Sequence, residues 1–135
     1  MHWLIKKGGV TKTSSTLSIG AALADRGQRV LLVDLDPQAS LTSAAGVDSA
    51  ESDETVYTAM ASYMRSGDAP SLDGMVRHVA DRLDLLPASI ELAGAEMELM
   101  NVGRREYVLG EVLGVVKGRY DAVLIDCPPR CPCSP

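Results

Sequence analysis

Residues 4–15 read LIKKGGVTKTSS: a short apolar run, two glycines, a lysine and a row of hydroxyl side chains. Paired glycines let the backbone curl so that successive N–H groups converge on an anion. A helix that follows adds its N-terminal dipole and free N–H groups. The stretch therefore reads as a phosphate-binding loop. The common spacing G-x-x-x-x-G-K-[ST] fails in two places, however. Counting back from Lys12, Lys6 stands in the first glycine position and Thr11 in the second. Gly8 and Gly9 can still supply the curl, Lys12 a point charge for β- and γ-phosphates, Thr13 a hydroxyl for Mg²⁺ and Ser14 a further hydrogen bond. The alternative is an ordinary strand-to-helix turn with Thr11 or Thr13 as the helix N-cap. Thr11 is costly only if its position needs a positive φ.

Working outward, residues 2–5 read as a short strand. Leu17, Ala21 and Ala24 recur at helical spacing over residues 12–26, and Gly27 follows as a C-cap. The run RVLLVDLDPQ comes next, with continuous apolar residues from Val30 to Val33, as in a strand buried on both faces of a parallel sheet. Strand, glycine turn, helix and strand make a βαβ unit. Residues 44–70 are richer in Ser, Asp and Gly and are expected to hold surface helices, one of them over 55–64. A short edge strand is expected over 76–78, and a buried strand from Leu83 ending at Pro87. Helices are expected over 90–100 and 105–117, with Gly118 as the stop. The last strand, 122–125, ends at Asp126 and a Pro-Pro break. The fold class is α/β, a mostly parallel sheet flanked by helices.

Two acidic features sit where such a fold binds ligands. D-L-D-P-Q, residues 34–38, follows the second strand, and A-V-L-I-D, residues 122–126, ends the last. In a doubly wound sheet the carboxyl ends of the strands line the ligand crevice. An acid there can reach a Mg²⁺ shell or orient an attacking water. Each feature alone also fits a polar strand end. Their order along the chain, loop then acid pair then late acid, points to nucleotide chemistry.

Composition bounds the reading. The 135 residues, 46% of them hydrophobic, are enough for one domain with a real core. With 4% aromatics and no Phe, that core must be aliphatic. There is neither an apolar stretch of transmembrane length nor a secretion signal, so the expectation is a cytoplasmic protein without a membrane role. A net charge of −5 makes it a poor general binder of DNA. The three cysteines, Cys127, Cys131 and Cys133, cluster at the end and cannot staple the body of the fold. A metal site from these three is a weaker alternative, with no paired histidine nearby. His2 and His78 read as lone surface or core histidines.

The segments KGGVTKTSS, LSIGAALADRGQRVLLVDLDPQASLT, LDLLPASIELAGAEMEL and YDAVLIDCPP together resemble the ParA family of partition ATPases, close to its chromosomal Soj type. The resemblance runs from about residue 5 to residue 129. MinD, the nitrogenase iron protein and cobyrinate-type synthetases share the loop but fit the middle segment less well. The resemblance explains the loop's spacing, because this branch of P-loop NTPases carries a deviant loop with an early signature lysine. It implies that Lys7 is that lysine, reaching across a homodimer to the partner's nucleotide. Lys12 would bind phosphate and Thr13 the Mg²⁺, with the loop from Gly8 and Gly9 through Val10, Thr11 and Ser14 around the ATP. Asp36 would orient the hydrolytic water, and Asp34 and Asp126 would stand in the metal's outer shell. It also implies ATP and Mg²⁺ as cofactors, and a ParB-like centromere-binding protein and non-specific DNA as partners of full-length relatives.

Relatives extend beyond the Pro-Pro break, so residues 1–129 are expected to be the N-terminal part of the ATPase domain, truncated at the C-terminus. Residues 130–135 (RCPCSP) would then be a disordered tail foreign to the family, and DNA binding is not expected of this chain. Three functions stay open: a Mg-dependent ATPase of plasmid or chromosome partitioning, a non-catalytic nucleotide-binding or dimerising fragment, and an inactive relict.

Overall fold

A computed structural model describes residues 2–7, 10–36, 38–47, 55–88, 105–116 and 118–127. In chain order the elements are β1 (His2–Lys7), α1 (Val10–Asp25), β2 (Val30–Asp34), α2 (Ser40–Ala44), α3 (Val56–Ser66), β3 (Arg77–Ala80), β4 (Leu83–Leu86), α4 (Arg105–Gly114) and β5 (Ala122–Cys127). The described strands form one sheet in the order β1-β5-β2-β4-β3. β1, β5, β2 and β4 run parallel, and β3 closes one edge antiparallel to β4. The sheet is thus mostly parallel and flanked by helices, as the alternating pattern predicts.

The period-2 alternation of the strands splits the core in two. Val30, Leu32, Leu83, Leu85, Ala122 and Leu124 point to one face, where Leu17, Leu23 and Ala24 of α1 and Leu41 of α2 cover them. Leu31, Val33, Leu35, Leu86, Val123 and Ile125 point to the other, beneath Tyr57 and Met60 of α3 and Val112 and Leu113 of α4. This is why residues 30–33 are apolar without interruption: both faces of β2 are dry. α1 lies so close to the sheet that a Cβ on Gly20 would stand 2.8 Å from Leu32 Cδ2.

Several boundaries move. β1 extends two residues past Ile5, and β5 two past Ile125, because each continues the other's parallel ladder to Lys7↔Cys127. α1 opens at Val10 rather than Lys12. Thr11 therefore lies in a right-handed helical turn, so its position needs no positive φ. α2 is a helix that polar residues 40–44 did not signal. α3 spans Val56–Ser66 and is amphipathic: Val56, Tyr57, Ala59 and Met60 are buried, and residues 64–66 are exposed. Its N-terminus docks on the end of β4, where Val56 N–H donates to the Pro87 carbonyl at 3.0 Å. β3 spans Arg77–Ala80, a shift of one or two residues, and α4 stops at Gly114, three residues early. The helix expected over 90–100 and the tail 130–135 lie outside the described residues. No described helix is long and apolar enough to cross a membrane.

Candidate nucleotide site

The acids singled out from the sequence converge at the carboxyl end of the sheet. Asp34 pairs in register with Asp126, and Asp126 with Lys6, so three neighbouring strands carry ionisable residues at one level. Asp34 shares its parity with Val30 and Leu32, and Asp126 with Ala122 and Leu124. Both acids therefore belong to the face that α1 covers. Each is fully buried, and Asp36, two residues beyond Asp34, is 8% exposed.

Donors as well as burial hold these carboxylates. Asp34 Oδ1 accepts the Asp36 N–H at 3.0 Å. Its Oδ2 accepts the Thr42 N–H at 2.9 Å and the Thr42 hydroxyl at 2.7 Å. Thr42 in turn accepts the Ala88 N–H at 3.1 Å, which ties the chain leaving β4 to the end of β2. Asp36 Oδ1 accepts the Gln38 N–H at 2.9 Å in an Asx turn. Its carbonyl accepts the N–H of Ala39, which sits in the left-handed region at φ 55°, ψ 37°. Burial pushes the Asp34 carboxyl up to about 7. The three donors pull the other way, and the neighbouring Asp126 adds to the rise.

The candidate phosphate loop lies in sequence between β1 and α1. β1 ends at Lys7 and α1 opens at Val10, so only Gly8 and Gly9, which lie outside the described residues, separate strand from helix. Val10, Thr11, Lys12 and Thr13 form the first turn of α1, and Ser14 follows, exposed. The first turn of a helix has N–H groups with no intrahelical acceptor. Here that turn stands at the same end of the sheet as Asp34 and Asp126. A set of carboxylates and hydroxyls is a hard-oxygen donor set, which suits Mg²⁺. A buried acid lifted by desolvation and a like charge is also a place where a divalent cation would offset charge.

Sequence reasoning missed Thr42 and Tyr57. Thr42 sits in a short helix with no amphipathic signal. Tyr57 donates its hydroxyl to the Leu35 carbonyl, between the two acids, from the opposite face of the sheet. The three cysteines are not assembled: Cys127 ends β5, and Cys131 and Cys133 lie outside the described residues. Among the described residues no group of three His, Cys, Asp or Glu could hold a metal. His78 is a surface histidine, 3.1 Å from Asp84. With Asp84, Tyr120, Arg119 and Asp73 it lines an open cavity of about 350 Å³ at the β3–β4 edge.

Comparison with known proteins agrees with this arrangement. The family described as an AAA domain matches residues 3–133. Sporulation initiation inhibitor protein Soj of Bacillus subtilis is 44% identical over 124 residues, which are 92% of this chain and 47% of Soj. Chromosome partitioning protein ParA of Caulobacter vibrioides is 40% identical over 126 residues, again 92% of this chain and 45% of ParA. The chain thus spans about half the length of the curated relatives it matches. A Mycobacterium smegmatis structure named cobyrinic acid a,c-diamide synthase, with bound ATP analogue and magnesium, superposes with a TM-score of 0.80 at 38% identity, covering 96% of this chain and 52% of that one. McdA of Cyanothece in complex with ATP superposes at 0.78 with 25% identity, covering 96% and 48%. With this family match, these relatives and a mostly parallel sheet that superposes on theirs, the chain belongs to the AAA domain family, in its branch of ParA-type partition ATPases.

Proposed function

We propose that the chain binds Mg·ATP at the carboxyl end of its sheet and carries the phosphate half of a ParA-type partition ATPase. The observation that carries this reading is the register pair Asp34–Asp126, buried on the face of the sheet that α1 covers. The reading assigns the backbone from Gly8 through Ser14 to the phosphates, with Lys12 as the fixed charge and Thr13 as the Mg²⁺ ligand. Asp34 and Asp126 would serve the Mg²⁺ as outer-shell carboxylates. Bound Mg²⁺ would neutralise charge on the phosphate oxygens. Asp36 orients water for the hydrolytic step. Lys7, from a second copy of the chain, offsets charge that develops on the transferred phosphoryl group. Dimerisation across ATP, a centromere-binding partner and DNA-dependent partitioning belong to the same reading, and the identities to Soj and ParA support them.

The test is calorimetry of Mg·ATP with the 135-residue chain. Micromolar binding is expected, lost in Lys12→Ala. Binding with turnover that Lys7→Ala and Asp36→Ala abolish supports the ATPase. Binding without turnover points instead to a nucleotide-binding module. A chain that unfolds cooperatively yet binds no Mg·ATP overturns the reading. A synthase is the second reading, favoured by the name of the M. smegmatis neighbour. It would show as turnover that waits on cobyrinic acid.

A further inference from the structure

We propose that Tyr57 and Thr42 are positioning residues for Asp36, gripping the exit of β2 from opposite faces of the sheet. The proposal rests on the reading of Asp36 as the residue that orients water. Asp36 lies beyond the end of its strand, where the ladder no longer holds the backbone: pairing with β4 ends at Val33↔Leu86 and pairing with β5 at Asp34↔Asp126. A water-orienting carboxylate has to be placed to a fraction of an ångström. Something other than the sheet must therefore place it.

The chain supplies two anchors. On the α3 side, Tyr57 is 1% exposed and spends its hydroxyl on the backbone carbonyl of Leu35, the residue just before Asp36. The Leu35 N–H donates to the Asp126 carbonyl at 2.9 Å, so residue 35 is held at both its N–H and its carbonyl. On the α1 side, Asp34 accepts the Asp36 N–H, and Thr42 holds Asp34 with both its amide and its hydroxyl. The Thr42 hydroxyl also accepts the Ala88 N–H, so its donor and one lone pair are both committed. Besides its own turn with Gln38 and Ala39, Asp36 is thus reached by one hydrogen-bond route from each face, one through Tyr57 and one through Thr42. Simple core packing would not need either oxygen: Phe would fill the site of Tyr57, and Val that of Thr42.

Four variants test this: Tyr57→Phe, Thr42→Val, Thr42→Ser and Asp36→Ala. Each is measured for Mg·ATP affinity, for turnover and for amide hydrogen exchange over residues 35–39. Tyr57→Phe and Thr42→Val are expected to bind Mg·ATP within about twofold of the parent while turnover falls about tenfold or more. Exchange over 35–39 quickens in both. Thr42→Ser, which keeps the hydroxyl, restores the parent rate and the parent exchange. Parent-like turnover in both Tyr57→Phe and Thr42→Val overturns the proposal. So does a parallel fall of affinity, turnover and folded fraction, which is the mark of a merely structural role. Parent-like turnover in Asp36→Ala overturns the underlying reading of Asp36 instead. In that case, or if the parent chain does not turn over, exchange alone decides the anchoring, and unchanged exchange in Tyr57→Phe and Thr42→Val overturns it.

Discussion

The two ends of the sheet treat their acids in opposite ways. At the amino ends of the strands, carboxylates meet cations in the open: Asp121 faces Arg29, Asp81 faces Arg82, and Asp73 faces Arg119 nearby. At the carboxyl ends, Asp34 and Asp126 are fully buried, and the donors that hold Asp34 are a hydroxyl and two backbone amides. Exposed pairs in water are worth little, because solvent screens them and two long side chains lose freedom. A buried carboxylate to which the described residues offer neutral donors keeps a large desolvation penalty. A chain shaped for stability alone would place an apolar residue at position 34. The acid persists at the end of the sheet where such folds bind ligands.

The largest expected effect that separates the two ends is in the pH dependence of stability. The folded-state pKa of Asp34, about 7, exceeds its ordinary value of 3.8. Between these values the folded chain keeps a proton that the unfolded chain has released. Stability therefore falls as pH rises from about 4 to about 7, by several kcal/mol from this group. The exposed acids act with the opposite sign. The Arg29 N–H beside Asp121 and the Arg119 guanidinium beside Asp73 hold those carboxyls below their ordinary value. Their contribution is present above 3.8 and is lost as pH falls below it. Urea unfolding of the ligand-free chain in chelator, from pH 4 to pH 8, measures this. Asp34→Asn should remove the decline between 4 and 7. Its absolute stability is also lower, because an amide has one acceptor oxygen, so its NH2 must face either the Thr42 donors or the Asp36 N–H. The comparison breaks if the slope of Asp34→Asn matches that of the parent.

Much of this arrangement was legible in the chain. The continuous apolar run 30–33 marked a strand dry on both faces, and the acids after 33 and 125 marked strand ends. Those signals are local, so sequence order sufficed to bring Asp34 and Asp126 to one end of a parallel sheet. Thr42 and Tyr57 were not legible, because their roles depend on partners 46 and 22 positions away. A polar residue in a five-residue helix and a tyrosine in an amphipathic one carry no local mark of what they hold. The buried face of helix α3 was hidden for a related reason. The Ser, Asp and Gly around it are loop signals, and they hid a buried face made by Val56, Tyr57, Ala59 and Met60. Boundaries at β1 and β5 moved because strand ends are set by the partner strand, here each other.

A smaller effect sharpens the contrast between the two helical layers. Gly20 and Gly110 both lie inside helices, and nothing in the sequence separates them. A methyl on Gly20 would meet Leu32 Cδ2 at 2.8 Å and Leu83 Cδ1 at 3.2 Å, both in the closed core between α1 and the sheet. Among the described residues, a methyl on Gly110 of α4 meets nothing within 4 Å. Replacing a mid-helix glycine by alanine gains about 1 kcal/mol of helix propensity. Overpacking a closed core costs about 1–3 kcal/mol. Gly110→Ala should therefore stabilise by about 1 kcal/mol, and Gly20→Ala should destabilise by about 1 kcal/mol net. Urea midpoints at constant m-value read both. Two stabilising substitutions would mean that α1 stands further from the sheet than its contacts imply.

The smallest expected effect lies at the amino end, and it tests whether those exposed pairs are as weak as their geometry says. Asp121 Oδ2 accepts the backbone N–H of Arg29 at 2.9 Å and meets the Arg29 Nε at 3.6 Å. Both side chains are about half exposed. The backbone hydrogen bond is the larger cause of the lowered Asp121 carboxyl, ahead of the Arg29 charge. Arg29→Ala leaves that hydrogen bond in place and removes only the screened charge and the contact of the guanidinium with the Gly118 carbonyl. Asp121→Ala removes the acceptor itself, and with it the cap on the turn where β2 and β5 begin side by side. The urea midpoint should therefore shift more in Asp121→Ala than in Arg29→Ala, and both shifts should be smaller than that of Gly20→Ala. Raising salt to ~1 M, where the Debye length shrinks to about 3 Å, should erase the charge part of the Arg29→Ala shift and leave Asp121→Ala nearly unchanged. If Arg29→Ala is the costlier variant at low salt, charge rather than hydrogen bonding organises the amino end. The contrast with the buried acids at the carboxyl end would then be one of solvent exposure alone.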